Sequence, residues 1–214
     1  MGLLTCLTDP AALVAADTST VINLNATGCA REIVSAIPNK LVVVDVVSGE
    51  LDEGRRRGRQ DADLLDQLVV SGLVEVVKLD NACTLHFEKL VVGPAAFTLD
   101  DGEAATIAYA VGHKGIAVID ERKATRIAAE KFAKLRVGCT VDILAHPKVQ
   151  KCLGKTMLAD AVFNALYHGR MGVFQHHVEW VVGLIGTDRA SECISLPSSI
   201  RQRQSKLNAA GKKK

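Results

Sequence analysis

Five short apolar runs, separated by longer segments with helical spacing, constrain this chain most. They are LVAAD from Leu13, LVVVDVV from Leu41, VEVVKL from Val74, GIAVID from Gly115 and the run beginning RVGC at Arg136. A strand that is apolar along its whole length, and not only at alternate positions, has both faces covered. Its alternation with helical segments such as DADLLDQLVVSG, TLDDGEAATIAYAVGHKG and ERKATRIAAEKFAKL predicts an α/β fold with a doubly wound parallel sheet. Aromatic residues make up only 4% of the chain against 48% hydrophobic, so the core must be built from Val, Leu, Ile and Ala, as in such sheets. Thr18 or Ser19 is expected to cap the first helix, and Thr98 or Asp100 the one over TLDDGEAATIAYA. A helix is expected from about Gly49, after a strand that takes in all of LVVVDVV.

Four acids stand where these strands end or helices begin. Asp17 closes LVAAD, Glu50 follows LVVVDVV, Glu103 sits in the first turn of LDDGEAATIAYA and Asp120 ends GIAVID. The carboxyl ends of parallel strands open onto one crevice, where ligands bind. Carboxylates gathered there repel one another unless a divalent cation lies among them. Hard oxygen donors suit Mg²⁺ or Mn²⁺, and an all-acid site points to metal-assisted attack on a phosphate ester.

The flanking residues carry a resemblance. Asp17-Thr18-Ser19 with Val21-Ile22-Asn23-Leu24 resembles the opening motif of PIN domains, and Val47-Ser48-Gly49-Glu50-Leu51 their second acidic segment. Gly102-Glu103-Ala104 with Ile107-Ala108 is similar to the third, and Ile119-Asp120-Glu121 with Ala124, Arg126 and Ala128 to the fourth. The resemblance implies a Rossmann-like parallel sheet over residues 12–145 and a Mg²⁺- or Mn²⁺-dependent ribonuclease, often the toxin of a bacterial toxin–antitoxin pair. In that reading Asp17, Glu50, Glu103 and Asp120 are the catalytic and metal-holding residues, and Thr18 and Ser19 support them from behind. One departure stands out: the third acid of the family is usually Asp, and here it is Glu103, with Asp100 and Asp101 just upstream. That change keeps open a second reading, a PIN-like nucleic-acid-binding protein with a weak or lost active site. A phosphatase working through an aspartyl phosphate fits less well, because Asp17-Thr18-Ser19 lacks the second Asp of Asp-x-Asp.

Arg55, Arg56, Arg57 and Arg59 follow Glu50 closely and suit phosphate contacts with an RNA substrate; the plainer alternative is a solvated helix end. The basic residues Arg201, Arg203, Lys206, Lys212, Lys213 and Lys214 share the last stretch with no acid. Setting those six aside turns the net charge of +2 into −4, so the body is mildly acidic. Residues 146–190 read as a helical extension, with Leu158, Val162, Ala165 and Leu166 at helical spacing, and residues 198–214 as a basic, disordered tail. Trp180 and the stripe beside it read as packing or an oligomer face, so a homodimer or higher assembly is expected, with an antitoxin protein as a further partner.

The six cysteines include no Cys-x-x-Cys pair, which argues against a zinc ribbon and gives no disulfide framework. His176-His177-x-Glu179 does not read as a metal motif, because adjacent histidines point to different helix faces. No apolar stretch nears the ~20 residues that cross a bilayer, and no basic start of a signal peptide is present. A cytoplasmic protein without a membrane partner is expected.

Overall fold

The computed structural model describes residues 6–200; most of the basic tail lies outside them. Its strands are β1 (Val14–Ala16), β2 (Leu41–Val44), β3 (Val74–Val77), β4 (Ile116–Val118) and β5 (Arg136–Gly138). They form one all-parallel sheet in the order β3-β2-β1-β4-β5. The chain starts in the middle, winds outward through β2 and β3, then returns to the other side of β1. The winding therefore reverses between β1 and β4, and the carboxyl ends of those two strands flank the crevice.

β1 leads into α1 (Thr18–Ala26) and α2 (Ala30–Ala36), β2 into α3 (Asp45–Arg56) and α4 (Asp61–Val70). β3 leads into α5 (Asn81–Val91) and α6 (Asp101–Gly112), and β4 into α7 (Arg122–Lys131). After β5 come α8 (Thr140–Leu144), α9 (Pro147–Tyr167), α10 (Val178–Ile185) and α11 (Thr187–Glu192). Every residue of β1, β2 and β4 is buried, which is why those runs are apolar throughout. Successive side chains go to opposite faces. Val14, Ala16, Val43 and Val118 join the core under α1, α2, α4 and α9; Ala15, Val42 and Ala117 join the one under α5, α6 and α7. Edge strand β3 has an exposed Glu75, which pairs with Lys40.

Two local expectations are corrected. β2 stops at Val44, and Asp45 already begins α3, so the helix starts four residues before Gly49. The reason is pairing: Leu41–Val44 matches Val74–Val77 residue for residue, and beyond that register no partner strand continues. Val47 and Leu51, at i and i+4, then bury one helical face. The cap of α1 is Asp17 and neither Thr18 nor Ser19: its side chain accepts from Thr20 N.

α9 lies against α1 and α2, and Leu158, Val162, Ala165 and Leu166 are all buried in the sheet's own core. It bends at Gly154, whose φ of 66° lies in the left-handed region that glycine enters without strain. Trp180 of α10 is partly buried against the same core. Among the described residues no helix is long and apolar enough to cross a membrane.

If α9 is part of this core, truncating it should cost as much as truncating a central strand residue. Leu166→Ala should lower stability in urea by about 2–5 kcal/mol, whereas Met157→Ala, half exposed on the same helix, should stay within about 0.5 kcal/mol. Equal, small effects would show that α9 is merely laid on the surface.

Candidate functional site

Asp17 comes directly off β1, and its backbone N–H donates to the Val118 carbonyl (3.2 Å), which ties the ends of β1 and β4 together. Thr20 Oγ1 donates to the same carbonyl (3.0 Å). The Asp17 carboxylate, 2% exposed, accepts from Thr20 N at 2.7 Å and from Ser19 Oγ at 2.8 Å. Asp120 follows β4 by two residues and is held harder still. It accepts from Thr140 N (2.8 Å), Thr140 Oγ1 (2.5 Å) and Asn23 Nδ2 (2.6 Å).

Glu50 reaches the crevice from the middle of α3, not from a strand end as its sequence position suggests. Gly102 N donates to Glu50 Oε1 (3.0 Å) and Thr18 Oγ1 to Oε2. A Cβ on Gly102 would stand 2.6 Å from Glu50 Oε2, so only glycine lets the first turn of α6 approach that carboxylate. Glu103 is the next residue. Asp100, at the N-cap position of α6, makes no capping bond, which leaves its side chain to the cleft. Asp17, Thr18, Ser19, Ile22, Glu50, Asp100 and Glu103 together line a cleft of about 320 Å³.

The electrostatics follow from this crowding. Burial, then the charge of Asp120, pushes the Asp17 carboxyl up to about 6. Burial, then Glu121, Asp17 and Asp100, pushes Glu103 up to about 7. Asp120 is raised as well, by burial, against the opposing effect of its Thr140 and Asn23 hydrogen bonds. The cleft lining contains no Lys or Arg. A donor set made only of carboxylate and hydroxyl oxygens, with carboxyls held protonated past their ordinary range, fits a hard divalent ion. Asp17, Glu50, Glu103 and Asp120 are the residues that would hold it.

The structure thus brings Asp17, Thr18, Ser19, Glu50 and Glu103 to one cleft and sets Asp120 within electrostatic reach of Asp17. The arginines divide. Arg55 is engaged by Asp52 (3.0 Å), Asp63 (2.8 Å) and Asp66, and Arg56 by Glu53. Arg57 and Arg59 are exposed, without an ion pair among the described residues. Arg122 donates to the Val173 carbonyl (3.3 Å), and Arg126 pairs with Glu130 (2.9 Å). Sequence reasoning missed Thr140 and Asn23 as partners of Asp120, and the glycine requirement at position 102. A polar Asn23 within the apolar helix VINL was the one available signal.

A family model described as a PIN domain matches residues 13–171. The chain belongs to the PIN-domain family. PIN domains are generally nucleases acting on nucleic acids, and they typically bind divalent metals. No curated protein and no solved structure matches the chain.

The raised Asp17 carboxyl makes a pH prediction for metal-free protein. An unfolded Asp titrates near 3.8 and folded Asp17 near 6, so between those values the folded state holds the extra proton. Stability should therefore fall as pH rises from about 4 to about 6, and then level. Asp17→Asn keeps the cap of α1 but removes the penalty. Its stability relative to wild type should improve by on the order of 3 kcal/mol between pH 4 and pH 8. Urea titrations in EDTA test this; parallel wild-type and variant curves would show that Asp17 is not under electrostatic pressure.

Proposed function

We propose that this PIN-domain chain is a Mg²⁺- or Mn²⁺-dependent endoribonuclease, the toxin of a toxin–antitoxin pair. The observation that carries the reading is the cleft at the β1/β4 reversal, walled by Asp17, Glu50, Asp100 and Glu103 without a basic residue. When bound, the divalent ion supplies Lewis acidity to water and to a phosphate oxygen. The chain's own residues do the positioning. Ser19 orients Asp17, Thr18 and Gly102 N orient Glu50, and Thr140 with Asn23 fixes Asp120 so that it cannot swing away. Glu103 has a longer reach than the family's usual Asp, and its place on the cleft wall supports the same role. Arg57 and Arg59, exposed where the chain leaves the end of α3 and without an ion pair among the described residues, are suited to backbone phosphates of a bound strand. An acidic cleft also accepts a guanidinium or ammonium in place of the ion, which is how an antitoxin side chain would silence it.

Purified protein should cleave single-stranded RNA with Mg²⁺ or Mn²⁺ and stop in EDTA. Asp17→Asn and Asp120→Asn should each lose at least about 100-fold in rate, on the scale of removing one transition-state-stabilising group, while staying folded. Gly102→Ala should also lose activity, because its methyl group displaces Glu50, yet hold its melting temperature. Undiminished cleavage by both aspartate variants would end the assignment, and RNA binding without cleavage by wild type would favour a binding protein with a lost site.

The toxin role has its own test. Expression in bacteria should arrest growth for wild type but not for Asp17→Asn, and co-expression of the neighbouring gene should relieve it. Harmless expression of a protein that is active on RNA in vitro would assign it to narrow RNA processing.

A further inference from the structure

A second group of metal-ligating side chains gathers just after the end of β5, outside the lining of the acidic cleft. Cys139 and Asp142 occupy the N-cap and third positions of α8. His177 arrives from a 3-10 turn before α10, far along the chain. Cys139 Sγ stands 3.3 Å from Asp142 Oδ2, and His177 Nε2 stands 3.5 Å from the same oxygen. One donor atom from each of the three lies within 4.8 Å of the others, and all three residues are buried. Around a tetrahedral ion with bonds of about 2.0–2.3 Å, donor atoms sit roughly 3.3–3.8 Å apart. The two separations to Asp142 Oδ2 fall in that range.

The independent observation is His177. Its side chain is 1% exposed; Nε2 has only the long 3.5 Å contact to Asp142 Oδ2, and Nδ1 has no hydrogen-bond partner among the described residues. A buried ring nitrogen left without a partner is costly and rare in folded proteins. An ion on Nε2 would replace the long contact by a bond.

A second thiol lies nearby. The position of a Cβ on Gly138 would be 2.1 Å from Cys6 Sγ and 3.2 Å from Asp142 Oδ2, so the missing side chain of Gly138 is what admits the Cys6 sulfur beside this carboxylate. A buried thiol beside a carboxylate and a buried imidazole makes a mixed sulfur, nitrogen and oxygen donor set. That set selects a borderline-soft ion and not Mg²⁺.

We infer that Cys139, Asp142 and His177 form a three-ligand site for a zinc-class divalent ion, distinct from the catalytic cleft. The ion joins α8 to the turn before α10 and releases the thiol proton as it binds. Because Thr140 follows Cys139 directly and carries Asp120, the site also steadies the backbone that orients that acid.

The test is Co²⁺ titration of the reduced, tag-free, metal-stripped full chain in buffer with excess Mg²⁺. One equivalent should raise a thiolate-to-cobalt charge-transfer band with intense tetrahedral visible bands, and Zn²⁺ should abolish both. Cys139→Ser and His177→Phe, checked for folding by circular dichroism, should each lose the band. Asp17→Asn should keep it, which separates this site from the nuclease reading whatever the outcome of RNA cleavage. No band in folded wild type would overturn the inference and leave a buried His177–Asp142 ion pair. A band that survives in both variants, or that Mg²⁺ displaces, would equally place the ion elsewhere.

Discussion

The rest of this structure turns on a conflict between burial and charge at the reversal between β1 and β4. Two strands buried on both faces deliver Asp17 and Asp120 to one place, and α3 and α6 add Glu50 and Glu103. Hydrophobic packing of the central strands makes that convergence unavoidable, and it removes the water that would otherwise solvate the acids. The fold answers with short-range donors: Thr20, Ser19, Gly102, Thr140 and Asn23 each give a hydrogen bond to one of these carboxylates. Those bonds orient the acids but do not cancel their mutual repulsion, because the carboxyls of Asp17 and Glu103 stay raised. The residual negative field favours any cation placed among them.

Position and stability are divided between the two faces of the sheet. The face under α5, α6 and α7 is thin and rich in alanine: Ala104, Ala108 and Ala110 are fully buried, which lets α6 sit close to β1 and β4. That closeness carries Gly102 N to Glu50 and sets Glu103 on the cleft wall. The opposite face is thicker, with α9 laid over α1 and α2 and α10 packed against α9. Leu158, Val162 and Leu166 bury there without approaching the acids, so this layer supplies packing and not chemistry.

The architecture was legible because its signal is local. A run such as LVVV that is apolar at every position states its own burial, and three such central runs, with two more mixed ones and helices between them, leave few alternatives. Asp17 and Asp120 were legible for the same reason, since a charge that ends a buried strand stands out. The boundary of β2 was not: DVV is β-branched and continues the run, and only the length of β3, set more than thirty residues later, stops it. The supports of Asp120 were not legible either. Thr140 and Asn23 lie 20 and 97 residues away in sequence, and nothing in their own surroundings names a partner. Arg55 shows the reverse failure, in which four adjacent arginines suggested one surface but Asp52, Asp63 and Asp66 claim the first of them.

The histidine pair divides, as its adjacency suggests. Read as a helix, His176 and His177 diverge, and a shared ligand is excluded. The chain there is a 3-10 turn, in which His176 faces solvent and His177 turns inward to meet α8. Its neighbours there, Cys139 and Asp142, are three residues apart at a helix start, a spacing that brings an N-cap sulfur and a third-position carboxylate together on the same turn. Asp142 accepts from Cys139 N at 2.9 Å and so closes the cap of α8, while Thr140 between them turns its hydroxyl to Asp120. One helix start therefore serves two clusters at once. Any force that fixes Cys139 and Asp142 also fixes Thr140, and through Thr140 the carboxylate of Asp120 that acts on Asp17.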